Sequence, residues 1–131
     1  MEKIILIDGN SIVNRAYFGL PDLTTSKGQH TNGIKGFISI LLKLIDEEKP
    51  DYAAIAFDLP EPTFRHLKFK DYKAQRKPAE EALISQFPIL ENLLRAMGLF
   101  VMEKAGYEAD DLLGTMAGIC AGKGIQVSLV S

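Results

Sequence analysis

The 131 residues include one cysteine, Cys120, so no internal disulfide framework and no cysteine-rich zinc site can be built. Long apolar runs are missing too. Ile4-Ile5-Leu6-Ile7 is only four residues long, too short for the apolar region of a secretory signal, and Lys43 interrupts the stretch 37–45. Nothing approaches the roughly 18 consecutive apolar residues of a membrane span. Neither GxxxxGK[ST] nor GxGxxG occurs, so nucleotide binding through those loops has no support. His30 and His66 lack a partner at metal-ligand spacing and read as surface residues. Ser11 has no histidine base and reads as a helix cap, while Cys120 falls on an apolar helix face. Covalent nucleophilic catalysis therefore has no candidate residue. A reduced, cytosolic, soluble chain is expected.

What is present suits one globular domain. The chain is 47% hydrophobic and 24% charged, and its length is enough to bury a core without staples. The formal net charge is −2, but its distribution is uneven. Residues 61–80 carry six Lys/Arg against three Asp/Glu, whereas residues 1–60 and 81–131 are each acidic on balance. All the positive excess lies in one central segment between acidic flanks.

Along the chain, apolar runs alternate with helical patterns. Residues 3–7 read as a buried strand ending at Asp8-Gly9-Asn10, with Ser11 opening a short helix through Phe18. Residues 21–31 are rich in Thr, Ser, Gly and Gln and read as a loop. Ile34, Phe37, Ile38, Leu41, Leu42 and Ile45 recur at helical spacing over 33–48, and Pro50 stops that helix. A second buried strand over 52–57 also ends in an aspartate, Asp58. Beyond the basic segment a long helical pattern is expected from about 79 to 98, with Leu83, Phe87, Leu90, Leu93, Leu94 and Met97 as its apolar side and Pro88 either kinking it or marking a helix junction. A strand over 99–102, a helix from Glu108 to about 121 and a last strand over 125–130 complete the pattern. This predicts an α/β fold with a mostly parallel central sheet covered by helices on both faces. Its strands would share one C-terminal edge, where ligands of open α/β sheets bind. The sequence stops at a strand that would be left partly bare, which suggests part of something longer.

Two groups of residues carry chemistry at that edge. Asp8 and Asp58 end buried strands, and Glu108, Asp110 and Asp111 fall in the first turn of a helix that follows another strand. Each acid alone has a structural role to fill, as a turn residue, a cap or a complement to a helix dipole. Together, three separate elements deliver carboxylates to one place, where like charges need a cation between them. Oxygen ligands without His or Cys suit Mg²⁺ or Mn²⁺. The second group, residues 65–77, holds Arg65, Lys68, Lys70, Lys73, Arg76 and Lys77, with Phe69 and Tyr72 interleaved. Cations that neutralise phosphates beside aromatics that stack on bases suit a nucleic acid. A solvated surface helix is the alternative for a basic run of this kind.

The quoted residues resemble a known family. Ile7-Asp8-Gly9-Asn10-Ser11 with Arg15-Ala16-Tyr17, Thr31-Asn32-Gly33-Ile34-Lys35-Gly36-Phe37, Ala56-Phe57-Asp58, Thr63-Phe64-Arg65, Tyr72-Lys73-Ala74-Gln75-Arg76 and Gly106-Tyr107-Glu108-Ala109-Asp110-Asp111 are similar to motifs of the bacterial 5′ nucleases. These are the 5′→3′ exonuclease domains at the N-terminus of DNA polymerase I, in the flap endonuclease group with a PIN-like fold. The resemblance covers residues 1–131 and implies two divalent ions, Mg²⁺ or Mn²⁺, in the complete domain. It assigns Asp58, Glu108 and Asp110 mainly to the first ion, Asp8 to its support and Asp111 to the second. Residues 62–80 would be a basic helical-arch segment, with its base around Tyr72, Lys73 and Arg76, where Lys73 and Arg76 contact the scissile phosphate catalytically. Tyr72 would stack on a base, and Arg65, Lys68, Lys70 and Lys77 would complete the nucleic-acid contacts.

The expected function is therefore metal-dependent 5′→3′ exonuclease and flap endonuclease activity at 5′ flaps or 5′ ends of DNA or RNA in replication and repair. No membrane partner is expected, and the location expected is the bacterial cytoplasm, at the nucleoid. In the family a Gly-Asp-x-Asp motif, further aspartates, a duplex-gripping element and a polymerase portion follow. Without them the chain is expected to be weakly active or inactive. The alternatives left by the residues alone are a non-enzymatic α/β binding module and a PIN-type ribonuclease or phosphatase.

Overall fold

Ile4, Leu6, Ile5 and Ile7 are all buried, the last three almost completely, and they form the central strand of a four-stranded sheet. The computed structural model describes residues 1–58, 81–103 and 106–131. In chain order the elements are β1 (Lys3–Asp8), α1 (Gly9–Gly19), α2 (Asn32–Glu48) and β2 (Tyr52–Ala56). After residues 59–80 come α3 (Glu81–Ile84), α4 (Gln86–Ala96), β3 (Phe100–Met102), α5 (Ala109–Gly122) and β4 (Gln126–Val130). The strand order is β3-β2-β1-β4 and every pairing is parallel. No helix among the described residues is long and apolar enough to cross a membrane.

The period-2 alternation of a strand divides the core into two layers. Ile5, Ile7, Ile55 and Phe57 face α1, α2 and α4, where Ile12, Val13, Phe37, Leu41, Leu90 and Leu94 close the larger layer. Ile4, Leu6, Ala54 and Ala56 face α5 and meet Ala109, Leu113 and Cys120. The two alanines of β2 let that helix lie close to the sheet. Each large aliphatic side chain buried here contributes roughly 1.5–3 kcal/mol, which makes β1 the most strongly held strand. Cys120 is core, as its place on the apolar helix face predicts.

Helix boundaries differ from the expected ones for local reasons. Asp8, not Ser11, caps α1: its Oδ1 accepts the Ser11 N–H at 3.2 Å and its Oδ2 accepts the Ser11 hydroxyl at 3.0 Å. Of the kink or junction expected at Pro88 the structure has the junction, the pattern over 79–98 being two helices broken at Ser85. Continuing it would require an N–H at residue 88, and the Pro88 ring would strike the Ile84 carbonyl. As the third residue of α4, Pro88 needs no helical partner. Leu83, Leu90 and Leu94 are buried as the spacing predicts, but Leu93 and Met97 stay exposed on the flank of α4 turned from the sheet. Ile119 is likewise half-exposed on α5. The loop 21–31 is closed by an antiparallel bridge between Thr24 and His30, and His30 Nδ1 lies 2.7 Å from Asp22 Oδ1.

A buried polar brace joins the helix ends next to the strand C-termini. Gln86 is fully buried and donates to Asn32 Oδ1 and to the Ala82 carbonyl, both at 3.0 Å. Its own oxygen accepts the Ile34 N–H, while the Asn32 amide donates to the Tyr17 carbonyl at 2.9 Å. One side chain thus satisfies donors and acceptors on α2 and α3 that would otherwise be stranded.

On α4 the Glu91 carboxyl is pushed up to about 7, first by burial and then by hydrogen bonding and charge from Glu103, with Arg95 opposing. The folded state therefore binds this proton more tightly than the unfolded chain, whose value is near 4.5. The group favours folding fully below pH 4.5, and that contribution is lost as pH rises to about 7. Glu91→Gln is expected to stabilise the chain at pH 8 by about 1 kcal/mol, after allowance for solvent screening, and to change little at pH 4.5. Thermal unfolding at the two pH values checks this, and an equal effect at both contradicts it.

Candidate metal centre

Parallel pairing sets where the acids emerge. Asp8 lies opposite Ala56 in the register of β1 and β2, so Asp58 leaves the sheet two residues beyond the end of that ladder. The Phe57 N–H continues toward β3, donating to the Met102 carbonyl at 2.9 Å. The Asp58 N–H points the other way and donates to Asn10 Oδ1 at 2.8 Å. The Asp58 carboxylate then reaches α5, where its Oδ1 accepts the Ala109 N–H at 2.6 Å. One aspartate therefore ties the end of β2 to the beginnings of α1 and α5.

The N-terminus of α5 brings the other three acids. Glu108 is its N-cap, 5% exposed, and forms a reciprocal capping box with Asp111, whose Oδ2 accepts the Glu108 N–H at 3.0 Å. Asp110 projects from the same turn. Its carboxyl is raised above the ordinary aspartate range by partial withdrawal from water, and next by the charge of Asp8. The charge of Glu108, a hydrogen bond with Asp8 and the charge of Asp111 add to the rise. Asp8, Glu108, Asp110 and Asp111 thus share one electrostatic environment, and Asp58 is bonded into it. No Lys or Arg among the described residues forms an ion pair with Asp8, Asp58 or Asp110.

The structure brings all five predicted acids to the C-terminal edge of the sheet, but not as a finished cage. Among the described residues no three acidic, histidine or cysteine side chains already stand as a cation-holding group. Several of their oxygens are instead turned into helix caps. The donor set still fits a hard divalent ion: it is all carboxylate, and burial together with crowding raises the Asp110 carboxyl, which a cation would lower. The predicted nucleic-acid residues Arg65, Lys68, Lys70, Tyr72, Lys73, Arg76 and Lys77 lie outside the described residues. An apolar cavity of about 550 Å³, lined by Ile4, Tyr52, Phe100, Met116 and Cys120, opens at the opposite ends of the strands. It is no part of the acidic edge.

Sequence reasoning missed two residues here. Gly9 lets the start of α1 pack against the Phe57 ring of the core, because a Cβ at that position would stand 2.4 Å from Phe57 Cε1. The Phe57 ring is itself held between Phe37 and Phe87, with centroids 6.3 and 6.0 Å away. Asn10 is the other, through its bond to the Asp58 amide. The Asp-Gly-Asn tripeptide was the available signal, and it read as a turn.

Comparison with known proteins agrees with this geometry. Residues 3–131 match the family described as 5′-3′ exonuclease, N-terminal resolvase-like domain. DNA polymerase I of Geobacillus stearothermophilus is 45% identical over 129 residues, 98% of this chain and 15% of the polymerase. A 5′-3′ exonuclease of Aquifex aeolicus is 40% identical over 131 residues, all of this chain and 45% of that protein. The chain thus spans less than half the length of either relative. Among solved structures, a 5′-exonuclease of phage T5 with bound divalent metal ions (zinc) superposes with a TM-score of 0.69 at 19% identity. That match covers 99% of this chain and 49% of the phage protein. A T5 flap endonuclease in a pseudo-enzyme–product complex with DNA and metal ions gives 0.66 at 20% identity, covering 99% and 48%. At these identities the phage structures establish the shared fold.

Gly9→Ala is expected to destabilise the chain by about 1–3 kcal/mol, because the added methyl must displace a ring packed on two sides. Gly19→Ala is its control, since nothing lies within 4 Å of a Cβ there, and should stay within about 0.5 kcal/mol of wild type. Urea unfolding of both variants checks the pair. Equal effects would contradict the close-packing argument.

Proposed function

Since the chain belongs to the 5′-3′ exonuclease family through its N-terminal resolvase-like domain, we propose that it carries the acidic centre of a divalent-metal-dependent nuclease acting at 5′ ends and 5′ flaps of DNA. The observation that supports this reading is the convergence of acids from the end of β1, the end of β2 and the start of α5. Isolated caps would need no such convergence.

In this proposal Asp58, Glu108 and Asp110 hold one Mg²⁺ or Mn²⁺, Asp8 supports it, and Asp111 faces a second ion. Such ions, when bound, supply positive charge that polarises a phosphoryl oxygen and neutralises the crowded carboxylates. The chain's own residues supply the positioning. Asp8 is fixed by the first turn of α1 and Asp58 by the Ala109 amide, so neither needs to be ordered when substrate arrives. The capping box of Glu108 and Asp111 holds the start of α5, with its positive dipole end, at the same edge. Lys73 and Arg76 are assigned to the scissile phosphate, where they stabilise charge that develops as the ester bond breaks. Tyr72 is assigned to stack on a base near the 5′ end, and Arg65, Lys68, Lys70 and Lys77 to the flanking phosphates. The proposed location is the bacterial cytoplasm, with the nucleoid as the source of substrate.

Mn²⁺ titrated into the 131-residue chain is expected to bind saturably, and Asp58→Ala is expected to abolish that binding. Identical curves for the two proteins would remove the nuclease reading and favour a metal-independent binding module. For flap DNA, binding is expected to weaken steeply with salt. Lys73→Ala and Arg76→Ala should each lower the logarithmic salt slope by about one. Unchanged slopes would withdraw their assignment to phosphates.

A further inference from the structure

β1 leaves the sheet at Gly9 to become α1, whereas the chain beyond the end of β2 at Ala56 stays beside β3 for another residue, the Phe57 N–H still bonding the Met102 carbonyl. Extending the β1–β2 register beyond Asp8↔Ala56 sets position 10 opposite position 58. There the backbone of β1 is already helical and offers no ladder carbonyl, and the Asp58 N–H would be stranded at the sheet edge. The Asn10 side chain fills that place, with its Oδ1 2.8 Å from the Asp58 nitrogen. Because the partner is an N–H donor, the oxygen of the amide and not its NH₂ must face Asp58. Asn10 is itself anchored, its carbonyl accepting the Asn14 side-chain amide at 2.7 Å.

We infer that Asn10 is a positioning residue for Asp58: its side-chain oxygen replaces the missing strand carbonyl and sets the direction in which the Asp58 carboxylate leaves the sheet. The inference rests on the functional reading of Asp58 given above. Among the described residues the other hydrogen bond to Asp58 is that of its carboxylate with the Ala109 N–H. Without the Asn10 bond, a cation that draws on that carboxylate competes with the bond to Ala109. With the Asn10 bond the backbone stays fixed while Oδ1 keeps the Ala109 amide and the second carboxylate oxygen is offered to the ion. A mere brace would contribute to folding but not to ion affinity.

The test compares wild type, Asn10→Leu, Asn10→Asp and Asp58→Ala in the full chain by Mn²⁺ titration, hydrogen exchange at the Asp58 amide and thermal unfolding. Asn10→Leu keeps the volume and removes the acceptor, and Asn10→Ala replaces it if the leucine variant does not fold. The expected result for the acceptor-less variant is an Mn²⁺ dissociation constant raised about 10- to 100-fold, as for other residues that orient metal ligands. Exchange at Asp58 should be faster, with a melting temperature within a few degrees of wild type. Asn10→Asp, which keeps an acceptor oxygen, should restore slow exchange and tight binding. Wild-type Mn²⁺ affinity in Asn10→Leu, or an unprotected Asp58 amide in the wild type, overturns the inference. If Asp58→Ala still abolishes binding in that titration, the nuclease reading survives and only the role of Asn10 falls. If Asp58→Ala changes nothing, both fall.

Discussion

Parallel pairing of β1 on both flanks is the constraint on which the acidic edge depends. Ile7 lies opposite Ile55 on one side and Val130 on the other, so β1, β2 and β4 run out together. Had β2 been antiparallel, Asp58 would leave the sheet roughly 17 Å from Asp8, the length of a five-residue strand. Parallel order instead leaves the two aspartates and the start of α5 as neighbours. It also explains why the strands are so apolar: helices lie on both faces, and a side chain on either face of β1 has nowhere wet to go.

That arrangement costs electrostatic energy, which the local structure only partly offsets. Asp8, Asp58 and Asp111 each accept a backbone N–H at a helix start. A helix dipole contributes about 0.3–1 kcal/mol per acid in such positions. Two carboxylates within hydrogen-bonding reach near a protein surface repel by about 4 kcal/mol. Repulsion is the larger effect, and at Asp110 the charges of Asp8, Glu108 and Asp111 add to burial in raising the carboxyl. The edge is therefore built for a positive partner that the described side chains do not supply to Asp8, Asp58 or Asp110.

Much of this was legible in the sequence because apolar runs and helical spacing report burial directly. The solid run from Ile4 to Ile7 marked a central parallel strand, and the acids after it marked the functional edge. What stayed hidden depended on contacts between distant residues. Nothing local in Gly9 announces the Phe57 ring, and Asn10 acts only through a register set 48 residues away. The helix junction expected from Pro88 falls at Ser85 because the proline disrupts the carbonyl four residues earlier, not its own position. Leu93 and Met97 matched the helical period but not the burial, since period alone cannot tell which flank of a helix another element covers.

The central claim is that acids delivered by three elements meet around a cation. Diffraction from crystals of the chain grown with Mn²⁺, measured at the manganese absorption edge, tests it most directly. The account predicts an anomalous peak bounded by the carboxylates of Asp8, Asp58 and Asp110. A peak only elsewhere on the surface, or none at saturating Mn²⁺, would contradict it.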